Sequence, residues 1–317
     1  MTPERRFDLL VAGELNPDIL IVDPTSGPAF GQVETIVDAI FLAIGSSSAI
    51  AACGAARLGL RTAFVGVVGE DAFGYFMLRA LEDAGIDVSG CRIDAAIPTG
   101  ATVIVSRGAD RANMTAIGAI ASLRTEDVPR DLLGAARHLH VGSTYLQPAL
   151  AAGLPDLFEE ARSLGLTTSF DCNWDASGTW DDRIDPLLRA ADAFLPNLEE
   201  ARRITGKTAA PAAATELIRR ATDGREVGRP FTLAIKQGSA GAVAMRGTWE
   251  YEVAEAPVLP VEVVDTTGAG DSFDAGFLYG MLADWPLRDA LELGVACGSL
   301  SCTGIGGTAA QPTLELA

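Results

Sequence analysis

Residues 265–276 read DTTGAGDSFDAG and run into the apolar stretch FLYGML. Two Thr, three Gly and three Asp sit within these twelve positions. The segment before them, VEVVD, is apolar and β-branched, so the pattern predicts a strand end, a glycine turn and then a helix. Backbone N–H groups of Gly268, Ala269 and Gly270 would then lie at a helix N-terminus. Unpaired N–H groups and the positive end of the helix dipole collect there and favour a developing negative charge. Asp271 falls in the first helical turn, beside that anion hole. A carboxylate so placed can take a proton from an attacking hydroxyl while the hole stabilises a transferred phosphoryl group. The competing reading makes Asp271 an N-terminal cap and nothing more.

Outward from this loop, apolar runs and amphipathic stretches alternate. FDLLVAG (7–13) is a short apolar run stopped by glycine, the pattern of a buried strand. SSAIAACGAARLG (47–59) carries small residues at helical spacing and ends on Gly59. TAFVGVVG (62–69) reads as a strand and DAFGYFMLRALEDAG (71–85) as an amphipathic helix. HLHVG, TTSFDCN, AFLPN and TLAIKQG read as four later strands, with LPDLFEEARSLG and NLEEARRITG as helices among them. Such alternation predicts an α/β fold, a mostly parallel sheet with helices on both faces. Residues 14–44 and 92–120 break the pattern, being rich in β-branched residues, Gly and Pro. They are expected to form one small β layer from two insertions in a single domain spanning 1–317.

Composition excludes several functions. The chain has 317 residues, 48% hydrophobic, enough for a sizeable core. Its net charge of −18 disfavours nucleic acid and anionic membranes as partners. No apolar stretch reaches the roughly 20 residues of a membrane span. MTPERR is basic, but Asp8, Glu14 and Asp18 interrupt the apolar stretch after it, so no export signal is read and a cytoplasmic location is expected. Five cysteines form no CxxC pair and are expected to be reduced. His138 and His140 have no neighbouring Cys or His that would suggest a metal site. ARRITGKT (201–208) imitates a phosphate loop, but it ends a helix where such a loop would open one.

With these motifs in order, the chain resembles the ribokinase-like carbohydrate kinases, the PfkB family, over nearly its whole length. DTTGAGDSFDAGF is similar to that family's C-terminal signature. GELNPDIL (13–20) is similar to its first strand end, which implies that Asn16 and Asp18 contact sugar hydroxyls. GSSSAIAACGAARLG (45–59) resembles the family's Gly-Gly opening, implying substrate contacts at Gly45 and Ser46. The second glycine is replaced by Ser46, and the Asn usual a few positions later is Ile50. PTGATVIV (98–105) resembles the substrate lid. SFDCNWDASGTW (169–180) resembles the D-x-N strand end, with Asp175 where many members carry an Arg that meets acidic substrates; Asp171 and Asn173 are either structural or near the phosphates.

FLPNLEEARRITG (194–206) resembles the N-x-x-E motif. The resemblance implies that Asn197 and Glu200 hold magnesium-linked water and phosphate, with Glu200 acting on the metal through water. Lys236, Gly238 and Gly241 would line the nucleotide side. Asp265 and Thr267, with carbonyls of CTGIGGTA (302–309), would hold a monovalent cation such as K+. The implied activity is ATP- and Mg2+-dependent phosphorylation of a small, neutral sugar, with Asp271 as base. The implied fold is a three-layer α/β/α arrangement with a small β lid. A nucleoside kinase of the same fold, a non-catalytic sugar-binding member, and a homodimer formed through the lid stay open. A dinucleotide-binding oxidoreductase is disfavoured, because FDLLVAGELN lacks GxGxxG.

Overall fold

The computed structural model describes residues 5–22, 30–107, 110–180, 183–248 and 250–317. Residues 23–29 and 108–109 of the two expected insertions lie outside the described residues. The chain opens with β1 (Phe7–Ala12), β2 (Pro17–Val22), β3 (Ala39–Ile44), α1 (Ser47–Arg57), β4 (Thr62–Val65), β5 (Val67–Gly69) and α2 (Ala72–Asp83). It continues with β6 (Arg92–Asp94), β7 (Ala101–Arg107), β8 (Asp110–Ala116), α3 (Arg130–Gly134), β9 (Ala136–Val141), α4 (Pro148–Ser163), β10 (Thr167–Phe170) and α5 (Ile184–Ala190). It closes with β11 (Ala193–Phe194), α6 (Leu198–Thr205), α7 (Ala210–Thr222), β12 (Phe231–Lys236), β13 (Ala242–Gly247), β14 (Tyr251–Ala256), α8 (Ala269–Leu282) and α9 (Leu287–Ser301).

Eight strands form the central sheet, ordered β14-β13-β12-β11-β10-β9-β1-β4. The run from β4 to β12 is parallel, and β13 and β14 close one edge antiparallel. The expected α/β fold with a mostly parallel sheet is therefore present. The apolar run of β1 follows from burial on both faces. Leu10 and Ala12 enter one core with residues of α3, α4, α5 and α7, while Leu9 and Val11 enter another with α1, α8 and α9. Phe170 and Phe194 stack at 4.4 Å in the first core. Each fully buried ring of this kind contributes about 3 kcal/mol.

Local geometry changes parts of the sequence reading. The expected strand 62–69 is two strands, split at Gly66. A Cβ there would lie 2.8 Å from the Phe64 ring and 3.0 Å from the Gly13 carbonyl oxygen. The chain turns at that point, and β5 pairs with β6 in a separate ribbon. Arg92–Asp94 thus leaves the expected β layer. AFLPN contributes only Ala193 and Phe194 to the ladder, because Pro196 has no N–H to donate. The sequence reading assigned neither α7 nor α9.

A second sheet, ordered β3-β2-β7-β8, is rooted at the carboxyl end of β1. Its register sorts its side chains. Leu42, Ile19, Val103 and Met114 form one row, and Ala43, Asp18, Thr102 and Thr115 form the next row on the opposite face. After β1 the chain adds β4 on one side and β9 on the other. Such a reversal of strand order is where open α/β sheets have their ligand-binding crevice. No helix among the described residues is long and apolar enough to cross a membrane.

Candidate active site

The glycine turn stands at this crevice. Gly268 is the N-cap of α8, at φ 73°, and Asp271 lies in the first turn without capping it. Glycine is required at 268 for two reasons. Its φ is left-handed, and a Cβ would lie 2.6 Å from Gly307 Cα and 3.0 Å from Ile50 Cγ2. The Ala269 N–H turns back to the Thr266 carbonyl at 3.3 Å. The N–H groups of Gly270 and Asp271 lie in the first turn, where no intrahelical acceptor exists.

Asp271 is half-buried. Burial pushes its carboxyl up to about 7, with Lys236 opposing and the charges of Asp171 and Glu14 adding; a hydrogen bond from Ser47 also lowers it. A base poised near neutral pH suits proton abstraction.

Beneath the turn lies a buried charge cluster. Lys236, at the end of β12, donates to Asp171 at 2.7 Å and to both oxygens of Asp274 at 3.0 and 3.1 Å. Lys236 is therefore the cation of this cluster, in addition to its expected place on the nucleotide side. Asp274 escaped the sequence reading, although it lies three residues after Asp271 and so on the same helical face. Gly238 begins the turn after β12 and has open space around it. Gly241 is glycine for steric reasons, since a Cβ would lie 2.0 Å from the Ala256 carbonyl oxygen.

Asn197 and Glu200 cap α6 reciprocally. Asn197 Oδ1 accepts from the Glu200 N–H at 2.9 Å, and Glu200 Oε2 accepts from the Asn197 N–H at 2.8 Å. Glu200 is only 4% exposed, so it is not a solvated helix face. Burial and the Asp171 charge push its carboxyl up to about 8, against the pull of Lys236. Its Oε1 is left for a further contact, which fits a hold on metal-bound water.

On the other wall, Asn16 and Asp18 are buried where β1 gives way to β2. A Cβ on Gly45 would lie 2.3 Å from Asp18 Oδ1, so glycine lets that carboxylate close against the backbone. Ser46 sits at φ 69°, a region suited to the glycine it replaces. Its hydroxyl donates to the Glu14 carbonyl at 2.6 Å and accepts from the Ala49 N–H at 3.0 Å, capping α1. Ile50 faces inward, against Gly268 and Gly307.

A second unanticipated acid, Glu14, is buried at the crevice. It accepts from Ser48 Oγ at 2.7 Å, Ser143 Oγ at 2.8 Å and Gln147 Nε2 at 3.0 Å. Asn173 Nδ2 donates to Ser47 Oγ at 3.1 Å and Ser143 Oγ at 2.9 Å. Ser46, Ser143 and Asn173 all hold positive φ at this crevice, as strained residues at functional sites often do.

Other expected residues face elsewhere. Asp175 accepts from the N–H groups of Ser177 and Trp180 at 2.9 and 2.7 Å, organising its own loop. Asp265 Oδ1 accepts from the Thr267 N–H and hydroxyl at 2.9 and 2.8 Å, and its Oδ2 from the Gly306 N–H at 2.8 Å. These bonds tie the 265–268 turn to the 302–309 loop, and the donor set is hard oxygen throughout. His138 and His140 share the Ser169 hydroxyl at 2.7 and 2.8 Å, a neutral core network. Gly206 caps the C-terminus of α6 in the left-handed region, so residues 201–208 do end a helix.

The chain matches the model of the pfkB family carbohydrate kinases over residues 20–314. It is 35% identical over 277 residues to a 2-dehydro-3-deoxygluconokinase of Bacillus subtilis (strain 168), covering 83% of this chain and 82% of that protein. It is 34% identical over 285 residues to a fructokinase of Klebsiella pneumoniae, covering 84% and 88%. The structure of Arabidopsis thaliana ribokinase complexed with ribose and ATP superposes with a TM-score of 0.83 at 23% identity, covering 98% of this chain and 97% of that one.

Proposed function

The chain belongs to the pfkB family of carbohydrate kinases, and we propose that it transfers the γ-phosphoryl group of ATP to a hydroxyl of a small neutral sugar. The observation that carries this reading is Asp271, half-buried in the first turn of α8 with its carboxyl raised to about 7. Asn16 and Asp18 orient the sugar, offering strong acceptors to its hydroxyls. Gly45 and Ser46 form the floor beside them through their backbone. Asp271 takes the proton of the attacking hydroxyl. The first-turn N–H groups of α8, with Gly268 and Ala269 shaping the turn, stabilise charge on the transferred group. Gly238 and Gly241 leave room for the nucleotide beyond β12. Asn197 and Glu200 hold magnesium-bound water, and the ion, when bound, screens phosphate charge. Asp265, Thr267 and the 302–309 carbonyls offer a site for K+. Positioning and electrostatics supply most of the rate in phosphoryl transfer, so this set suffices.

The neutral-sugar assignment rests on position 175. An Arg there would meet an acidic substrate; Asp175 turns into its own loop and offers no cation. The two relatives, named for 2-dehydro-3-deoxygluconate and for fructose phosphorylation, make this a choice to be measured. The test is ADP release from MgATP, with and without K+, against neutral sugars, sugar acids and nucleosides. Turnover on a neutral sugar upholds the reading. Turnover on a sugar acid alone overturns the substrate class, and no turnover on any compound counts against the site.

We further propose that β3, β2, β7 and β8 form a lid whose apolar face pairs with a second copy. Leu42 and Met114 in its apolar row are 47% and 54% exposed. Light scattering of the purified chain tests this: a dimer mass is expected.

A further inference from the structure

Lys236 and Asp274 have no part in the mechanism above, yet they lie directly under it. Lys236 Nζ is 2.7 Å from Asp171 Oδ2 and is held by both oxygens of Asp274 at 3.0 and 3.1 Å. The side chains of Lys236, Asp171 and Asp274 are 11%, 9% and 1% exposed. Oxygens of Asp171, Asp271 and Asp274 lie within 4.8 Å of one another. A Cβ on Gly270 would lie 3.5 Å from Lys236 Nζ and 3.7 and 3.8 Å from its Cδ and Cε. The lysine stem therefore lies beside Gly270, at the distance where an added Cβ would meet it.

We propose that Lys236, clamped between Asp171 and Asp274, is a positioning residue that supports the Gly268–Asp271 turn from below and keeps Asp271 ionisable. This rests on the kinase reading, with Asp271 as base. The argument is one of charge and contact. Acidic groups face Asp271 from several elements: Glu14 after β1, Asp171 after β10, and Asp274 on its own helix, with Glu200 of α6 nearby in the same cluster. Ser47 of α1 adds a neutral hydrogen bond. Among the described residues, Lys236 is the cation that opposes them. Carboxylates crowded in a dry site cannot all ionise without a compensating charge. Lys236 is held on two carboxylates so that its ammonium stays beneath Gly270, where it favours the ionised form of Asp271. Asp274 provides the clamp from α8 itself, so the helix that bears the base also fixes the cation under it. A role confined to the nucleotide wall would need neither the bidentate clamp nor a lysine stem that fills the space beside Gly270.

The test uses the full chain and its best substrate from the ADP-release panel. Lys236→Met should lower kcat at pH 6 at least tenfold more than at pH 8.5, because loss of the cation raises the pH at which Asp271 ionises. KM for MgATP should change less than threefold. Asp274→Asn keeps an oxygen for the ammonium and should retain kcat within about fivefold, whereas Asp274→Leu should reproduce the shifted pH profile. Uncompensated buried acids could prevent Lys236→Met from folding, so Lys236→Met/Asp274→Leu, which removes one charge of each sign, is measured beside it. It should show a smaller shift in the same direction, because one opposing acid leaves with the cation. An unshifted profile in a folded variant overturns the proposal, as does a loss carried by KM for MgATP. Wild-type inactivity on every substrate would instead strike the kinase reading, so the two failures are distinguishable.

Discussion

The two sheets of this protein treat exposure in opposite ways. At the central sheet's site, charged side chains are paired and withdrawn from water: Lys236 with Asp171 and Asp274. In the small sheet, apolar side chains lie open, as Leu42 and Met114 do. A buried charge costs several kcal/mol unless it is paired, and each charge of this cluster has its partner within the chain. An exposed apolar row gains free energy only when something covers it. On the proposed reading, the difference separates a region for chemistry from one for closure or contact. The small sheet also divides by face: its polar row carries Asp18 toward the crevice, and its apolar row turns away.

Five measurements put that contrast at risk. The largest effect belongs to the central site. Asp271→Asn should lower kcat by about 10²–10⁴-fold with little change in KM, the range of a lost general base. Wild-type kcat should also rise with pH toward a plateau above about 7, where Asp271 is ionised. A near-normal kcat in the variant would remove chemistry from this region.

The next tests separate the faces of the small sheet. Asp18→Ala should raise KM for the sugar by about 10–100-fold, the cost of one charged hydrogen-bonding partner, and leave KM for ATP within twofold. Equal effects on both ligands would point to a folding defect. On the other face, Leu42→Asp with Met114→Asp should weaken self-association by at least about tenfold, since two buried apolar contacts are lost. A wild-type monomer at all concentrations would show that the open face serves closure alone.

A last test concerns pairing in the core. Burial lowers His138 to about 3 and His140 to about 4, against an unfolded value of about 6.5. Their neutral forms stabilise the fold fully above pH 6.5, and that contribution is lost as pH falls toward 4, at about 1.4 kcal/mol per pH unit for each. Asp271 and Glu200, raised to about 7 and 8, act in the opposite direction over higher pH. The informative quantity is therefore a difference. Urea unfolding of His138→Gln/His140→Gln should fall less steeply than wild type between pH 6.5 and 4. Parallel curves would mean that the histidines are solvated.

Much of this architecture was legible in the chain before folding. Most apolar strands and the glycine turn carry local signals (period, glycine stops, and acids in a first helical turn), although the segment ending at Asp265, read as a strand end, forms no strand. Gly45, Gly268 and Gly270 were singled out in the sequence, and the structure gives 45 and 268 steric reasons to be glycine. Residues whose role depends on distant partners were misjudged or missed. Nothing near Ser46 in sequence says that its hydroxyl caps α1 and reaches the Glu14 carbonyl. The capping box of Asn197 and Glu200 is visible as a spacing, but burial of Glu200 against Cys172 is not.

The α/β alternation, the kinase-type loop and the acid that opens α8 are each written in residues within one or two turns of one another, and local pattern was enough to read them. The electrostatics of the site belong to the folded chain alone. Lys236 is separated from Asp171 by 65 residues and from Asp274 by 38, and the three meet only because β10, β12 and α8 converge on one crevice. Ionisation in a buried site depends on the sum of neighbouring charges and on lost solvent, and neither is defined until the chain has folded.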